Sequence, residues 1–205
     1  MSITTNAELK SAIASWLNRT DLTTQIPDFI RLAEQRIYYG SDAPYQSAPL
    51  RIPAMEANTT GSITAGTIAF PTRFLEPISL AVTSGNTTWD MDYVTPKQYR
   101  LKSNDACPPS FYTYRNGAIY TAGTGAADYD LDYYESFALL SADADTNWII
   151  DNAPGLLLYG ALVETAPFLK DDDRIGMWFG MFKAALSAVN RSANRQGGTL
   201  VVRAG

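Results

Sequence analysis

The sequence predicts an α+β fold: a helical bundle formed by the N- and C-terminal segments, with an antiparallel β-rich insertion between them. Two observations predict it. Apolar residues recur with helical spacing before residue 40 and again after residue 150, and between residues 55 and 137 they alternate with the period of two that is typical of strands. The expected domains are a discontinuous helical bundle of residues 1–48 and 146–196, a β-rich insertion of residues 49–140 and an extended C-terminal tail of residues 197–205.

Two helices are predicted at the N-terminal end. The first spans about residues 6–18, with Asn6 as its N-cap, and its apolar face consists of Leu9, Ile13, Trp16 and Leu17. The second begins around Pro27 and stops at Gly40, because proline suits a first helical turn and glycine suits a helix end. Its expected core face consists of Ile26, Phe29, Ile30, Ala33 and Ile37. The residues expected to face solvent are Arg31, Glu34 and Gln35.

Residues 41–54 contain three prolines and predict an extended connector, after which six or seven short strands follow. Asn116 and Gly117 stand between two strand-like segments and predict a tight hairpin. A last strand with one wet face is predicted where aspartates alternate with apolar residues, in residues 128–133. Residues 95–102 are expected to form a short helix inside this block.

Helices are predicted again from about residue 151, with Asp151 or Asn152 as the cap and Pro154 in the first turn. Residues 156–169 are apolar nearly all round, which is typical of a central helix, and Pro167 should kink or end it. Residues 171–173 are three aspartates, which favour the start of a last helix because carboxylates stabilise the positive end of its dipole. These segments are more apolar than a small monomer needs, because such a protein buries only one face of each helix. The excess favours assembly with other subunits.

The last predicted helix carries two stripes. The large apolar stripe consists of Ile175, Trp178, Phe182, Leu186 and Val189. The small-residue stripe consists of Gly176, Gly180, Ala184 and Ala188, with Met177 and Met181 beside it. Two interpretations stay open: both stripes serve one core, or one packs inward and the other meets a neighbouring subunit. Gly197 and Gly198 should end the helix, and the β-prone residues after them either return to the chain's own sheet or add a strand to a partner.

Composition excludes most catalytic constellations. The 205 residues include no histidine and a single cysteine, Cys107, so Ser-His and Cys-His dyads, imidazole metal sites, multi-cysteine metal sites and internal disulfides are excluded. Residues 1–20 lack the apolar core of a signal peptide, and no apolar run reaches the roughly 18 residues that cross a bilayer. We expect a soluble, non-secreted protein that is not an enzyme and that uses no cofactor or metal.

Charge is segregated along the chain. Residues 1–127 carry ten acidic and ten basic side chains, residues 128–173 carry eleven acidic and one basic, and residues 174–205 carry five basic and no acidic side chains. An acidic body with a basic arm suggests a complementary partner, although the same asymmetry also serves solubility. The five cations lack interleaved aromatic residues, so the chain is expected to make non-specific contact with nucleic acid at most.

Three weaker sequence patterns are also present. Asp143, Asp145 and Asn147 match the first ligand positions of an EF-hand loop, but Trp148 and Pro154 stand where glycine and glutamate are required. The aspartates of residues 128–132 suit either adventitious cation binding or a solvated strand face. A carbohydrate-binding module or glycosidase-like β domain on a helical support is the alternative function, since 21 carboxylates and twelve tyrosines are available, but no spacing picks out a catalytic pair.

Four segments, in this order and spacing, resemble a known family. They are LTTQIPDFIRLAEQRI (residues 22–37), LRIPAME (50–56), YVTPKQY (93–99) and LYGALVETAPFLKDD (158–172). Together they are similar to the head–tail adaptor, or connector, proteins of tailed bacteriophages, over most of residues 3–192.

The resemblance implies a structural virion protein with no enzymatic activity, assembled in the host cytoplasm and located in the neck of the virion. It implies a homo-oligomeric ring of twelve subunits beneath the portal, which extends the channel for transient, non-specific passage of double-stranded DNA and offers a platform for tail or nozzle proteins. The segment expected to reach the portal is the last helix with residues 196–205. The expected oligomer or portal interface is Gly176, Met177, Gly180, Met181, Ala184, Ala188, Arg191, Arg195, Leu200, Val201, Val202 and Arg203.

Overall fold

The structure, a computed structural model, describes residues 2–63, 65–102, 109–123, 127–170 and 172–196. It confirms the α+β class, since these residues form six α-helices and eight β-strands. The helices are α1 (Asn6–Leu17), α2 (Ile26–Tyr39), α3 (Pro96–Lys102), α4 (Trp148–Asn152), α5 (Pro154–Leu169) and α6 (Asp172–Gln196). The strands are β1 (Glu56–Ser62), β2 (Thr67–Ala69), β3 (Phe74–Ser84), β4 (Thr87–Asp90), β5 (Asp92–Tyr93), β6 (Phe111–Arg115), β7 (Ala118–Thr121) and β8 (Asp128–Glu135).

The chain divides into two compact units. Unit 1 comprises Met1–Ala54 and Phe137–Gly205, and unit 2 comprises Met55–Ser136. Residues 50–54 belong to the helical unit because hydrogen bonds hold them there: Leu50 N donates to Ile37 O at 2.8 Å, and Arg51 N donates to Asn190 Oδ1 at 3.3 Å. Leu50 and Ile52 are also buried, so this end of the connector is part of the core of unit 1.

In unit 1, α1 begins at Asn6, the residue predicted to be its cap, so the observed cap lies one residue earlier. Thr5 is the N-cap, and its side chain accepts a hydrogen bond from Glu8 N at 3.3 Å. The prediction that Asn6 caps the helix was therefore wrong. Asn6 is buried instead, where its Nδ2 donates to Ala142 O at 3.0 Å and its backbone N donates to Asp145 O at 2.9 Å. Threonine and asparagine both cap well, so a contact distant in sequence decided between them.

The second helix follows its predicted face with one exception. All five predicted core residues of α2 are buried, and Gly40 ends the helix at φ 73°, where a Cβ would lie 2.6 Å from Ser47 O. Glu34, expected to face solvent, is only 2 % exposed. Its carboxylate accepts hydrogen bonds from Leu140 N at 3.4 Å and Arg31 Nη1 at 3.5 Å, so the segment returning from unit 2 covers it.

The centre of unit 1 is α5, which contacts α1, α2, α4 and α6. The prediction of a central helix is confirmed, because α5 buries residues on all sides. Gly160 sets the closest approach, since a Cβ there would lie 3.1 Å from Ala33 Cβ and 3.3 Å from Phe182 Cε2. The helix ends two residues after Pro167, and a 2.6 Å ion pair between Arg36 and Glu164 joins it to α2.

The predicted caps before α5 were wrong. Asn147 caps α4, because its Oδ1 accepts hydrogen bonds from Ile149 N and Ile150 N at 3.1 Å. Ala153 precedes α5 without a side-chain cap, while Pro154 occupies the first turn as predicted. The short helix α4 was not anticipated, since five residues are too few to show a helical period.

Unit 2 contains two four-stranded sheets, with strand orders β1-β8-β3-β4 and β2-β7-β6-β5. The predicted Asn116-Gly117 hairpin is confirmed between β6 and β7, with φ of 52° and 71° at the two turn residues. The sequence predicted an antiparallel β-rich insertion, but one pairing, between β5 and β6, is parallel. Both sheets contribute to one apolar cluster, which includes Leu80, Leu131 and Ile119.

Candidate assembly surface

The last helix, α6, has two faces on opposite sides. Its inner face is formed by Trp178, Phe182 and Leu186, which are buried, with Ile175 and Val189 half-buried at its borders. Phe182 lies against Gly160 of α5, and the Phe179 ring contacts the Tyr45 ring with centroids 5.3 Å apart. The large apolar stripe of the sequence is therefore the stripe that packs in the core of unit 1.

The outer face of α6 is exposed. Its residues, all exposed, are Gly176, Met177, Gly180, Met181, Lys183, Ala184, Ser187, Ala188 and Arg191. A Cβ added at Gly176 or Gly180 would meet nothing within 4 Å, and Met177 and Met181 are 51 % and 38 % exposed. The interpretation in which both stripes serve one core is thus wrong for the described chain.

The charges of this outer face are positive only. Arg191 Nε donates to Ser187 O at 3.2 Å, whereas Lys183 makes no hydrogen bond or ion pair with any residue that the structure describes. Lys183 was not among the predicted interface residues, although its spacing of four from Ser187 and eight from Arg191 places the three on one helical line. It also lines a cleft of about 500 Å³ whose other walls are residues 39–42 and 46–49.

The other predicted interface residues lie outside the described part of the chain. For Leu200, Val201, Val202 and Arg203 neither backbone nor side chain is described. The side chain of Arg195 is likewise outside the description, although its backbone continues α6. Gly197 and Gly198, the predicted helix stop, also lie outside it.

A second surface, on unit 2, has the opposite charge. One face of the β1-β8-β3-β4 sheet is built from cross-strand rows of small polar and acidic residues. The rows are Asn58, Asp132 and Ser79; Thr60, Asp130, Ala81 and Asp90; and Ser62, Asp128, Thr83 and Thr88. We call these residues the acidic sheet face; each is exposed or half-buried, and the apolar cluster of unit 2 lies on the other side of the sheet.

Hydrogen bonds within the acidic sheet face stabilise the ionised form of Asp132. Asn58 Nδ2 donates to Asp132 Oδ1 at 2.8 Å and Ser79 Oγ donates to Asp132 Oδ2 at 2.9 Å, and these bonds lower the pKa of Asp132. Ser62 Oγ donates to Asp128 Oδ1 at 2.6 Å. No described lysine or arginine forms an ion pair with Asp90, Asp128, Asp130 or Asp132.

The residues of the EF-hand-like segment serve the fold of unit 1. Asp143 pairs with Lys10 at 2.8 Å. Asp145 Oδ2 accepts from Ala142 N at 2.7 Å and Ser141 N at 2.9 Å, which lowers its pKa. With Asn147 capping α4, all three side chains have partners within unit 1. Within the described ranges, no group of three or more histidine, cysteine or acidic residues is placed to hold a metal ion. Cys107 lies outside those ranges.

The aromatic residues of unit 2 contact one another. Tyr114 lies 5.4 Å from Tyr93 and 5.9 Å from Phe70, and Phe70 stacks on Phe74 at 4.4 Å, measured between ring centroids. Burial raises the pKa of Tyr114 and of Tyr133. Tyr93 is the large exposed member of this group, at 51 %. The rings therefore form a packed row in which one tyrosine is half open to solvent, and a broad sugar platform is not formed by them.

No helix in the described ranges is both long enough and apolar enough to cross a bilayer. No curated protein matches the sequence. A family model described as SU10 adaptor protein matches residues 4–203, which is nearly the whole chain. The resemblance to phage head–tail adaptors is thereby confirmed, and the chain belongs to the SU10 adaptor protein family, whose members are structural components of bacteriophage virions.

Proposed function

We propose that this chain forms a ring in the neck of a tailed phage, between the portal and the tail, and that the ring extends the DNA channel. Membership of the SU10 adaptor family supports this role, because an adaptor assembles with head and tail components. The observation that best supports ring formation is the outer face of α6, a 25-residue helix. Its small residues and its two methionines are exposed and are not buried in the core of the described chain.

A ring requires a contact that differs on the two sides of each subunit. Cyclic assemblies beyond a dimer use heterologous interfaces, in which one patch binds a different patch of the next copy. The outer face of α6 suits one of these roles because glycine and alanine let another backbone approach closely. In the proposed particle this face lies at a subunit or portal contact, and twelve copies close the ring.

The C-terminal tail is proposed to bind the portal. Residues 199–203 are Thr-Leu-Val-Val-Arg, a β-prone sequence with three consecutive aliphatic residues and one cation. A segment of this kind adds readily to an exposed strand or groove of a partner. The tail thus supplies the head-side contact, and the rest of the subunit offers the platform for tail or nozzle proteins.

DNA passes through the proposed ring without tight binding. The chain has a net charge of −5, so the ring as a whole repels phosphate and does not hold the duplex. The protein acts without catalysis and is assembled in the host cytoplasm before it becomes part of the neck.

The deciding experiment is assembly with the cognate portal. Purified chain is mixed with portal rings, and the product is sized and imaged by negative stain. A ring of adaptor copies bound coaxially to the portal is the expected result. A chain that remains monomeric, ignores the portal and binds glycans would instead support the carbohydrate-binding alternative, with substitution of Tyr93 as its probe.

A further inference from the structure

We infer that the outer face of α6 in one copy binds the acidic sheet face of the next copy. This inference rests on the proposed ring and names the two surfaces that make its repeated contact. The partner is a second copy of this chain, because the same polypeptide carries both surfaces and their charges are complementary.

On the helix side, the contact has space and positive charge. Gly176 and Gly180 leave the helix backbone open, since a Cβ at either position would meet nothing within 4 Å. Lys183 has no partner in the described chain and Arg191 contacts only a backbone carbonyl of its own helix. No acidic residue occurs after Asp173, and Asp42, which lines the same cleft as Lys183, forms no ion pair with it in the described part of the chain.

On the sheet side, the contact has small side chains and negative charge. The acidic sheet face carries four carboxylates on β8 and β4, and its remaining side chains are small: serine, threonine, asparagine and alanine. Small side chains on a sheet allow a helix to lie close to the strands. Asp128 and Asp132 are held by Ser62, Asn58 and Ser79, so their positions are fixed before a partner arrives.

The spacing of the charges also matches. Lys183 and Arg191 are eight residues apart on α6, which separates them by about 12 Å along the helix axis. Asp128 and Asp132 are four residues apart on β8, which separates them by about 13 Å along the strand. A helix lying along β8 therefore brings each cation to a carboxylate, with Ser187 near Asp130. Charge pairs of this kind set register and partner choice.

A charge-reversal cycle tests the inference in the assembly with portal rings. K183E/R191E removes both cations and is expected to lower the fraction of adaptor in rings by at least about tenfold, since it places like charges opposite one another. D128K/D132K is expected to do the same. The two sets combined in one chain should restore rings. An unchanged fraction of adaptor in rings with K183E/R191E would overturn the inference. A combined variant that forms no more rings than either double variant alone would overturn it as well.

A second measurement uses the wild-type chain, in case D128K/D132K does not fold. Rings assembled from equal amounts of ¹⁴N- and ¹⁵N-labelled chain are treated with a carbodiimide, which joins an amine to a neighbouring carboxylate. Mixed-isotope cross-links between Lys183 and Asp128, Asp130 or Asp132 are expected. If Lys183 links only to the portal, or only within one chain, the inference is wrong while the ring stands. If no ring forms at all, the proposed function itself fails.

Discussion

Helices α5 and α6 differ in what surrounds them, although they follow one another in the sequence and pack together. Helix α5 buries leucines on successive positions, Leu156, Leu157 and Leu158, and four other helices surround it. Helix α6 is longer, yet only one side of it is buried, at Trp178, Phe182 and Leu186. Large apolar residues are thus satisfied inside unit 1, whereas the uncovered side of α6 consists mainly of small residues.

Because of this difference, the reason for expecting assembly is the exposed side of α6 and no longer the apolar content of α5. The apolar excess of residues 156–169 pointed toward a partner, but in the structure that excess is used almost entirely by the chain itself, with Phe168 as the exposed exception. The surface that remains open is the one with glycine, alanine and methionine. In this chain, the small residues of α6 therefore mark an exposed helix surface, whereas the many leucines of α5 mark the core.

The largest expected effect comes from removing a core side chain of α6. Phe182→Ala should lower the free energy of unfolding by about 3–5 kcal/mol, because it leaves a cavity against α5. Met181→Ala, one residue away on the outer face, should change it by less than about 0.5 kcal/mol. Urea unfolding followed by circular dichroism measures both. Equal losses would show that the outer face is covered in the folded chain.

Substitutions at two glycines distinguish an effect on folding from an effect on assembly, because Gly160 is packed in the core and Gly180 is open to solvent. Gly160→Leu should cost about 3 kcal/mol of stability, because a Cβ at Gly160 already lies 3.1 Å from Ala33 Cβ. Gly180→Leu should leave the melting temperature unchanged or raise it, since the position is open and leucine favours helix more than glycine does. Negative-stain images of the Gly180→Leu variant with portal should show no rings. An intact ring would reject the proposed role of this face.

Deleting residues 196–205 should leave the melting temperature nearly unchanged and abolish portal binding. The reason is that the proposed tail contributes to a partner rather than to the chain's own core. Co-purification with portal rings measures the effect. A matched variant with Leu200, Val201 and Val202 replaced by serine keeps the tail length and should also lose binding. Retained binding in either chain would refute the proposed portal contact.

The smallest effect concerns the buried carboxyl of Glu34. Burial raises its pKa above the ordinary value, and the hydrogen bond from Leu140 N opposes the shift without cancelling it. A raised pKa in the folded state means that stability is greatest when Glu34 is protonated and falls as the pH rises through that pKa. Glu34→Gln keeps the acceptor for Leu140 N but carries no charge. It should therefore raise the melting temperature at pH 7, with the gain disappearing near pH 4.

Glu8 is the matched control for this prediction. It is exposed, and hydrogen bonds from Thr4 lower its pKa, so ionised Glu8 favours the folded state. Glu8→Gln should leave the melting temperature at pH 7 unchanged or lower it. A gain of the same size in both variants would show that burial of Glu34 is not the cause.

Local patterns were sufficient to predict several elements. The apolar spacing of α2, the alternation of β8 and the turn at Asn116 and Gly117 each depend on neighbours in sequence, and each is present as predicted. The two stripes of α6 could also be identified from spacing alone. Which stripe packs inward could not, because spacing defines a face without identifying what lies against it.

The features that local patterns could not predict depend on contacts between residues that are distant in sequence. Asn6 and Glu34 are buried because residues 140–145 return to cover them, and nothing near either residue in sequence indicates this. Lys183 and Arg191 could be counted as cations from the sequence, but only the fold shows that they lie on an open face without a carboxylate partner among the described residues. The sequence by itself determined most of the elements and most of their apolar faces, since these follow from backbone geometry. Only the tertiary structure decided which surfaces the chain uses itself, because burial depends on residues that are far apart along it.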